Sequence, residues 1–275
     1  MVINEKQYMD SGINSNYPNG GSGNRVIHSY NCEVNSMKLL DTGSGNTKIR
    51  KNNRDTKIRV AGLSLYPNDS LCPMRHIAQC AKPCLVSSGR GGFDNVRNGR
   101  QAKTDFYMND RAGFIAQLKK ELANFEKLCT KNNVIPYVRL NVISDIQWEL
   151  DTNGAIPQSF PNINMYDYTK LAKRLGKTPI NYELMFSYSK AEAYKNQVDK
   201  ALQTDVPMSV VFHGDMPTVF MGKRVVDGDS SDIENLKHKG CVIGLKYKLA
   251  KGQNVNPLDE IFIVKADTIP LLNVA

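Results

Sequence analysis

Short strand-like runs alternate with helical or loop segments along most of this 275-residue chain, and this alternation is the strongest constraint on its fold. Strands separated by crossover segments pair in parallel, with right-handed connections. We count eight strand candidates, which is the number that closes a β/α barrel. They cover residues 60–67, 134–146, 163–169, 180–189, 206–214, 224–229, 241–248 and 261–267. The pattern predicts an α/β fold, a complete or partial TIM-barrel-like domain. An α+β domain with an antiparallel sheet is the alternative, because the later connections are short.

Residues 111–131 have the clearest helical pattern in the chain. Apolar residues recur there at spacings of three and four, which places them on one face: Phe114, Leu118, Leu122, Phe125 and Leu128. Asn132-Asn133 is expected to end this helix, and a second helix is expected over about 94–108.

The chain is predicted to have two parts. Residues 10–24 are rich in Gly, Ser and Asn, a composition that does not support a packed core. We therefore predict a flexible N-terminal extension over 1–45, followed by a barrel-like domain over 46–275.

Three cysteines lie within thirteen residues, directly after the first strand candidate: Cys72, Cys80 and Cys84, spaced C-x7-C-x3-C. Thiolates grouped on one loop bind soft metals or iron–sulfur clusters. In a parallel barrel, a loop that follows a strand opens onto the functional face. Three thiolates would leave one iron of a 4Fe–4S cluster open to a ligand, so we predict such a cluster at the barrel mouth.

Two other interpretations of the cysteines stay open. His76 lies midway between Cys72 and Cys80, and three thiolates with one imidazole form a closed structural zinc site. The thiols could instead bind nothing, as in many reducing compartments. Of the remaining cysteines, Cys129 and Cys241 are expected to be core residues, and Cys32 lies in a strand-like stretch near the N-terminus. Any of the three could be a distant fourth ligand.

Polar residues gather at the carboxyl ends of the strand candidates, where a parallel barrel places its binding groups. Arg139, Asn141 and Asp145 are the candidates for substrate binding, and strand periodicity would place them on one face. Asp145 is expected either to pair with Arg139 or to hold a charged ligand together with it. His213 is expected to be structural, and Asp227-Gly228-Asp229 is expected to form a turn. No catalytic residue is assigned.

The net charge of +9 bears on partners. It suits a nucleic acid, and residues 48–59 are rich in Lys and Arg, although a solvated basic surface explains the charge equally well. No apolar run is long enough to cross a membrane, and the N-terminus has no signal-peptide core. We therefore expect no membrane partner and a cytosolic location.

Several segments resemble the phage-encoded family called gene product 88. They extend from Gly45 to about Lys248 and read GNTKIRKN, the cysteine loop, VRLNVISDIQWE, YDYTK, YELMFSYS, VVDGDSSDI and GCVIGLKYK. This resemblance implies a phage origin, and hence the cytosol of a bacterial host, and a cysteine loop shared across the family.

The position of the cysteines also resembles that in the radical S-adenosylmethionine barrels, where three thiolates hold a 4Fe–4S cluster and S-adenosylmethionine occupies the open iron. The resemblance implies that Cys72, Cys80 and Cys84 are those ligands. The spacing differs from the family's C-x3-C-x2-C, and no Gly-Gly-Glu-type segment follows the second strand. Two functions follow: an iron–sulfur phage protein that processes a small ligand, or a zinc-stabilised phage protein that binds nucleic acid.

Overall fold

The computed structural model describes residues 37–43, 47–84, 89–247 and 261–265. They belong to a compact unit that spans Met37–Ala275. Of the predicted N-terminal extension only residues 37–43 are described, and they enter the sheet as its first strand. Cys32, the last residue of the strand candidate over 241–248 and the last two residues of the candidate over 261–267 lie outside the described residues. Within the described ranges, no helix is long and apolar enough to cross a membrane.

Ten strands form one sheet. They are β1 (Leu40–Asp41), β2 (Ile58–Leu63), β3 (Ile135–Arg139), β4 (Asn164–Thr169), β5 (Tyr182–Ser187), β6 (Met208–His213), β7 (Val219–Phe220), β8 (Lys223–Asp227), β9 (Val242–Lys246) and β10 (Val264–Lys265). The order across the sheet is β1-β2-β3-β4-β5-β6-β9-β8-β7. All pairs from β2 to β8 are parallel, whereas the edge strands β1 and β7 are antiparallel.

The α/β class is confirmed, including the predicted parallel pairing of β2 with β3. The closed barrel is not confirmed, because the described strands run from edge to edge without joining β1 to β7. The strands follow chain order up to β6, after which β9, β8 and β7 lie in reverse order. The last strand, β10, pairs with β6 at Phe212, which also pairs with Lys246 of β9. A strand has two hydrogen-bonding edges, so β10 lies on the β5 side of β6.

The helices are α1 (Thr47–Asn52), α2 (Asp94–Asn109), α3 (Arg111–Lys131), α4 (Ile156–Ser159), α5 (Lys195–Leu202) and α6 (Asp232–Leu236). The predicted helix over 111–131 is confirmed to the residue, and its N-cap Asp110 accepts a hydrogen bond from the Gly113 amide at 2.9 Å. Leu128 was wrongly placed on the buried face: it is 53% exposed, and Cys129 is buried instead. Cys129 lies four positions after Phe125, about one helical turn, and therefore continues the buried face of the helix.

Alternate residues of the strands pack on opposite faces of the sheet. On one face, residues such as Ala61, Leu184 and Phe212 join the larger core with the buried side of α3. On the other face, Val60 and Met185 join a smaller core that includes residues of α1 and α6. Both faces are therefore covered, as parallel sheets require.

The first strand is attached to the domain through a carboxylate on α3. The Glu121 side chain accepts hydrogen bonds from the backbone amides of Leu39 and Leu40, each at 2.8 Å. Lys103 donates to the Leu39 carbonyl at 2.8 Å. Since Leu39 and Leu40 are buried, their amides have no water to replace Glu121.

We predict that Glu121→Ala lowers the free energy of unfolding by about 1–3 kcal/mol, because it leaves two buried amides unpaired. Urea denaturation measures this. Glu126→Ala, on the same helix, removes a hydrogen bond to Asn162 that is exposed to solvent and should change stability by less than about 0.5 kcal/mol. Equal effects of the two substitutions would show that Glu121 does not secure β1.

Candidate functional site

One cavity of about 310 Å³ lies at the carboxyl ends of the parallel strands. Its lining includes all six residues that the sequence singled out: Cys72, Cys80, Cys84, Arg139, Asn141 and Asp145. The lining also includes Lys170, directly after β4, and Ser187 and Lys246, the last residues of β5 and β9. Ser209 lines the cavity from the beginning of β6. The structure thus brings together residues that are up to 174 positions apart in the chain, counting from Cys72 to Lys246.

The cysteine loop is a series of tight turns fastened across the strand ends. Within it, the Cys80 amide donates to the Arg75 carbonyl at 3.0 Å, and the Cys72 amide donates to the Asn68 carbonyl at 2.9 Å. The Asp145 amide donates to the Leu71 carbonyl at 2.8 Å, which ties the loop to the segment after β3. These bonds place the cysteines over the ends of the neighbouring strands.

A second hydrogen bond holds the cysteine loop to the segment after β5. The buried Ser189 hydroxyl, two residues beyond β5, donates to the Ala78 carbonyl at 2.7 Å. The Cys72 thiol lies 3.7 Å from the Ile143 carbonyl oxygen, as a weak hydrogen-bond donor. The cysteine loop therefore bridges the ends of β3 and β5, and its position depends on both.

The three thiols influence one another electrostatically. Burial, together with negative charge at Asp145, Cys84 and Cys80, raises the pKa of the Cys72 thiol to about 12. Cys72 is therefore protonated at neutral pH in this state. In the described part of the chain, no three His, Cys, Asp or Glu side chains are arranged to hold a metal ion as they stand.

His76 lies apart from the cavity. Its Nε2 atom is 2.8 Å from Asp69 Oδ1, its side chain is exposed, and it does not line the cavity with the cysteines. His76, the residue of this loop that would be the fourth ligand of a zinc site, therefore contacts the exposed carboxylate of Asp69 instead of the cavity.

Arg139 is paired, but its partner is not Asp145, so that part of the prediction is wrong. The Arg139 guanidinium donates to Asp232 Oδ2 at 2.9 Å and to the Val142 carbonyl at 3.3 Å. It also lies over the Tyr168 ring at 4.5 Å, and the Tyr168 hydroxyl donates to Asp232 Oδ1 at 2.9 Å. Arg139 is only 6% exposed, and its Nε atom has no hydrogen-bond partner.

The Asn141 side chain forms hydrogen bonds that hold the segment after β3 in a non-strand conformation. Its Oδ1 accepts from the Ser144 hydroxyl, the Ile146 amide and Trp148 Nε1, at 2.9–3.1 Å. Its Nδ2 donates to the Ile146 carbonyl at 2.9 Å and to Asp167 at 3.1 Å. The strand ends at Arg139, so residues 139–145 do not share one face as expected. The polar atoms of this side chain are used within the protein.

Asp145 pairs with Arg174. Its Oδ1 accepts from Arg174 Nη1 at 2.8 Å, and its Oδ2 accepts from the Lys170 amide at 2.8 Å. The same guanidinium binds Glu149 through Nε and Nη2 at 2.8 and 2.9 Å, and donates to Thr169 and Tyr182. All five N–H groups of Arg174 are therefore satisfied, as a buried guanidinium requires.

Sequence reasoning missed Arg174 because the connection that contains it, between the strand candidates over 163–169 and 180–189, was predicted only as a helical or loop segment. It forms only a 3-10 turn, Ala172–Arg174, and Arg174 is buried. A buried Arg has no local sequence signal, because the acidic partners Asp145 and Glu149 are 29 and 25 residues away. Lys170 and Lys246 were visible as polar residues at strand ends, but not as residues of one site.

Comparison with models of known families matches gene product 88 over residues 37–256. The chain belongs to the gene product 88 family. The match covers nearly all of the compact unit, including the cysteine loop and the strand ends around the cavity. It confirms the phage-encoded family suggested by the sequence segments. No curated protein and no solved structure matches the chain.

We predict that Asp232→Ala destabilises the protein by about 3–5 kcal/mol, because it leaves the Arg139 charge buried without its partner. Urea denaturation compares it with Asp227→Ala, which removes an exposed carboxylate that accepts one hydrogen bond from the described residues, from the Asp229 amide. The control should cost about 1 kcal/mol or less. Comparable losses in both variants would contradict a dominant Arg139–Asp232 pair.

We predict that stability falls as the pH rises from about 4 to about 7 through the titration of Asp167. Burial raises the pKa of Asp167 from 3.8 to about 7, although Arg139 and hydrogen bonds from Tyr182 and Asn141 oppose this. Over that interval the folded protein holds a proton that the unfolded chain has lost, which favours folding at the lower pH.

Asp167→Asn should flatten this part of the pH profile, because the amide does not titrate. Urea denaturation at several pH values measures the slope, and Asp151→Asn, at an exposed site, serves as the control. An unchanged slope in Asp167→Asn would show that another group causes the pH dependence.

Proposed function

We propose that this member of the gene product 88 family binds a 4Fe–4S cluster through Cys72, Cys80 and Cys84, and that the open side of the cluster faces a small ligand in the cavity. Arg139 and Asp145 would lie beside that ligand. The observation that carries the proposal is the convergence of all three cysteines on one cavity at the strand ends.

The donor chemistry supports the proposal. Three thiols are the ligand type that iron–sulfur clusters use, and each lines the same cavity while being only half-buried. Metal binding would remove their protons and draw the turns of the loop together, as coupled metal binding and local folding commonly do. The exposed position of His76 favours the iron–sulfur cluster over the zinc site that the sequence left open.

The sheet also supports a site of this kind. The cavity is lined both by the loop after β2 and by Lys246 of β9, strands with four others between them. For both to reach one cavity, the parallel strands would curve into a partial barrel around it. S-adenosylmethionine is the ligand that the resemblance to radical barrels proposes for the open iron. Asn141, whose polar atoms are already bonded, would support the wall rather than contact that ligand.

We predict that the protein purified without oxygen is brown and contains iron and sulfide. Cys80→Ser and Cys84→Ser should each lose most of the iron, because a cluster with two thiolate ligands is not stably held. Elemental analysis and the absorption spectrum measure this. Cys241→Ser is the matched control: this half-buried cysteine does not line the cavity and should leave the iron content unchanged.

The proposal fails if the protein is colourless and holds one equivalent of zinc that Cys80→Ser removes. It also fails if Cys80→Ser and Cys84→Ser retain as much metal as the Cys241→Ser control. In the zinc case, His76→Ala would report whether the imidazole leaves Asp69 to serve as the fourth ligand.

A further inference from the structure

The cavity carries an excess of positive charge apart from its cysteines. Among its described lining residues, four are cationic, Arg75, Arg139, Lys170 and Lys246, and two are acidic, Asp145 and Asp229. Asp145 is paired with Arg174 at 2.8 Å, Arg139 is paired with Asp232 at 2.9 Å, and Arg75 lies 3.7 Å from Asp69. Lys170 and Lys246 therefore still outnumber the remaining acidic lining residue, Asp229. A cleft with unbalanced charge and low-dielectric walls concentrates ions of the opposite sign.

Three of the cationic groups retain unused hydrogen-bonding capacity. Arg139 is buried and its Nε has no partner, an uncommon state for a buried guanidinium. The Lys170 ammonium donates to the Ser187 hydroxyl at 2.6 Å, which uses one of its three N–H groups. Among the described residues, the Lys246 side chain has no hydrogen-bond or ion-pair partner; only its backbone amide is bound, to Asp229.

The wall near these cations is aromatic and apolar. The Lys170 ammonium lies 4.7 Å from the centre of the Phe262 ring, and Tyr247 follows Lys246 directly in the chain. Val211 and Leu245 line the same cavity from β6 and β9. A ligand with a planar apolar part and an acidic group would match both features, because rings pack on aromatic walls and the acid finds charged donors.

We propose that the cavity binds a small aromatic or similarly apolar acid, with its carboxylate or phosphate group held by Arg139, Lys170 and Lys246. This site goes beyond the proposed cluster, since its charged groups lie at the end of β3, directly after β4 and at the end of β9 rather than in the cysteine loop. Its ligand can bind whether or not the cysteines hold a metal.

The test uses benzoate, phenyl phosphate and the neutral analogue benzyl alcohol as probes. Each is titrated into the protein as purified, at constant ionic strength, and followed by ligand-observed NMR. We expect at least one acid to bind ten times or more tightly than benzyl alcohol, because only the acids can form charge-assisted hydrogen bonds. The stronger of the two acids identifies a carboxylate or a phosphate site.

Lys170→Gln and Lys246→Gln should each raise the Kd of that acid about fivefold or more. These variants are preferred to Arg139 variants, because removing Arg139 would take the cationic partner away from the buried Asp232 carboxylate and destabilise the fold. Lys177→Gln makes the same change of charge at an exposed site before β5, at the opposite end of the strands, and should leave the Kd unchanged.

Three results would overturn the proposal: no binding of either acid, equal binding of benzyl alcohol, or equal weakening by Lys177→Gln. The last would indicate a general effect of net charge rather than a site. Measuring the iron content of the same samples separates this outcome from the cluster, because acid binding and metal loading are read independently.

Discussion

The buried guanidinium of Arg174 is the interaction on which the geometry of the strand ends depends. It follows β4, binds Asp145 and Glu149 from the segment after β3, and donates to the hydroxyl of Tyr182 at the start of β5. Burial lowers its pKa, but Tyr182, Asp145 and Glu149 outweigh burial and raise the pKa of Arg174 above its ordinary value. A charge that costs this much to desolvate persists only when its partners are held in place, so the three segments are fixed together.

The cysteine loop takes its position from that arrangement. The Asp145 carboxylate accepts a hydrogen bond from the Arg174 guanidinium. The Asp145 backbone amide donates a hydrogen bond to the carbonyl of Leu71, at the beginning of the cysteine loop. The same carboxylate accepts the amide of Lys170. One residue thus connects the buried guanidinium, the thiols and a cation of the opposite wall. A change at Asp145 would act on all three, which separates it from an ordinary ligand-binding carboxylate.

The cavity joins two kinds of chemistry that come from different parts of the sheet. The half-buried thiols line the cavity from the loop after β2. The charged hydrogen-bond donors Arg139, Lys170 and Lys246 line it from the ends of β3, β4 and β9. Two separate ion pairs lie beneath them: Arg139 with Asp232, and Arg174 with Asp145. Since each acidic partner already neutralises an arginine, the lysines are left to set the charge that a ligand meets.

The amino-acid sequence by itself determined the features that depend on neighbouring residues. The spacing of Phe114, Leu118 and Leu122 specified the helix, because side chains three or four apart share a face in any environment. The alternation of strands and helices specified the parallel pairing of β2 and β3, and the cysteines could be assigned to a strand end from their position alone.

Only the tertiary structure decided which charges meet. Arg139 lies six residues from Asp145, yet its partner is Asp232, 93 residues away. The reason is that α6 packs on the face of the sheet that carries the smaller core, which brings the Asp232 carboxylate to the end of β3. Coulomb attraction depends on distance in space and on burial, and neither can be read from separation along the chain. For the same reason, only the assembled sheet shows that Arg174 and Lys246 belong to the site.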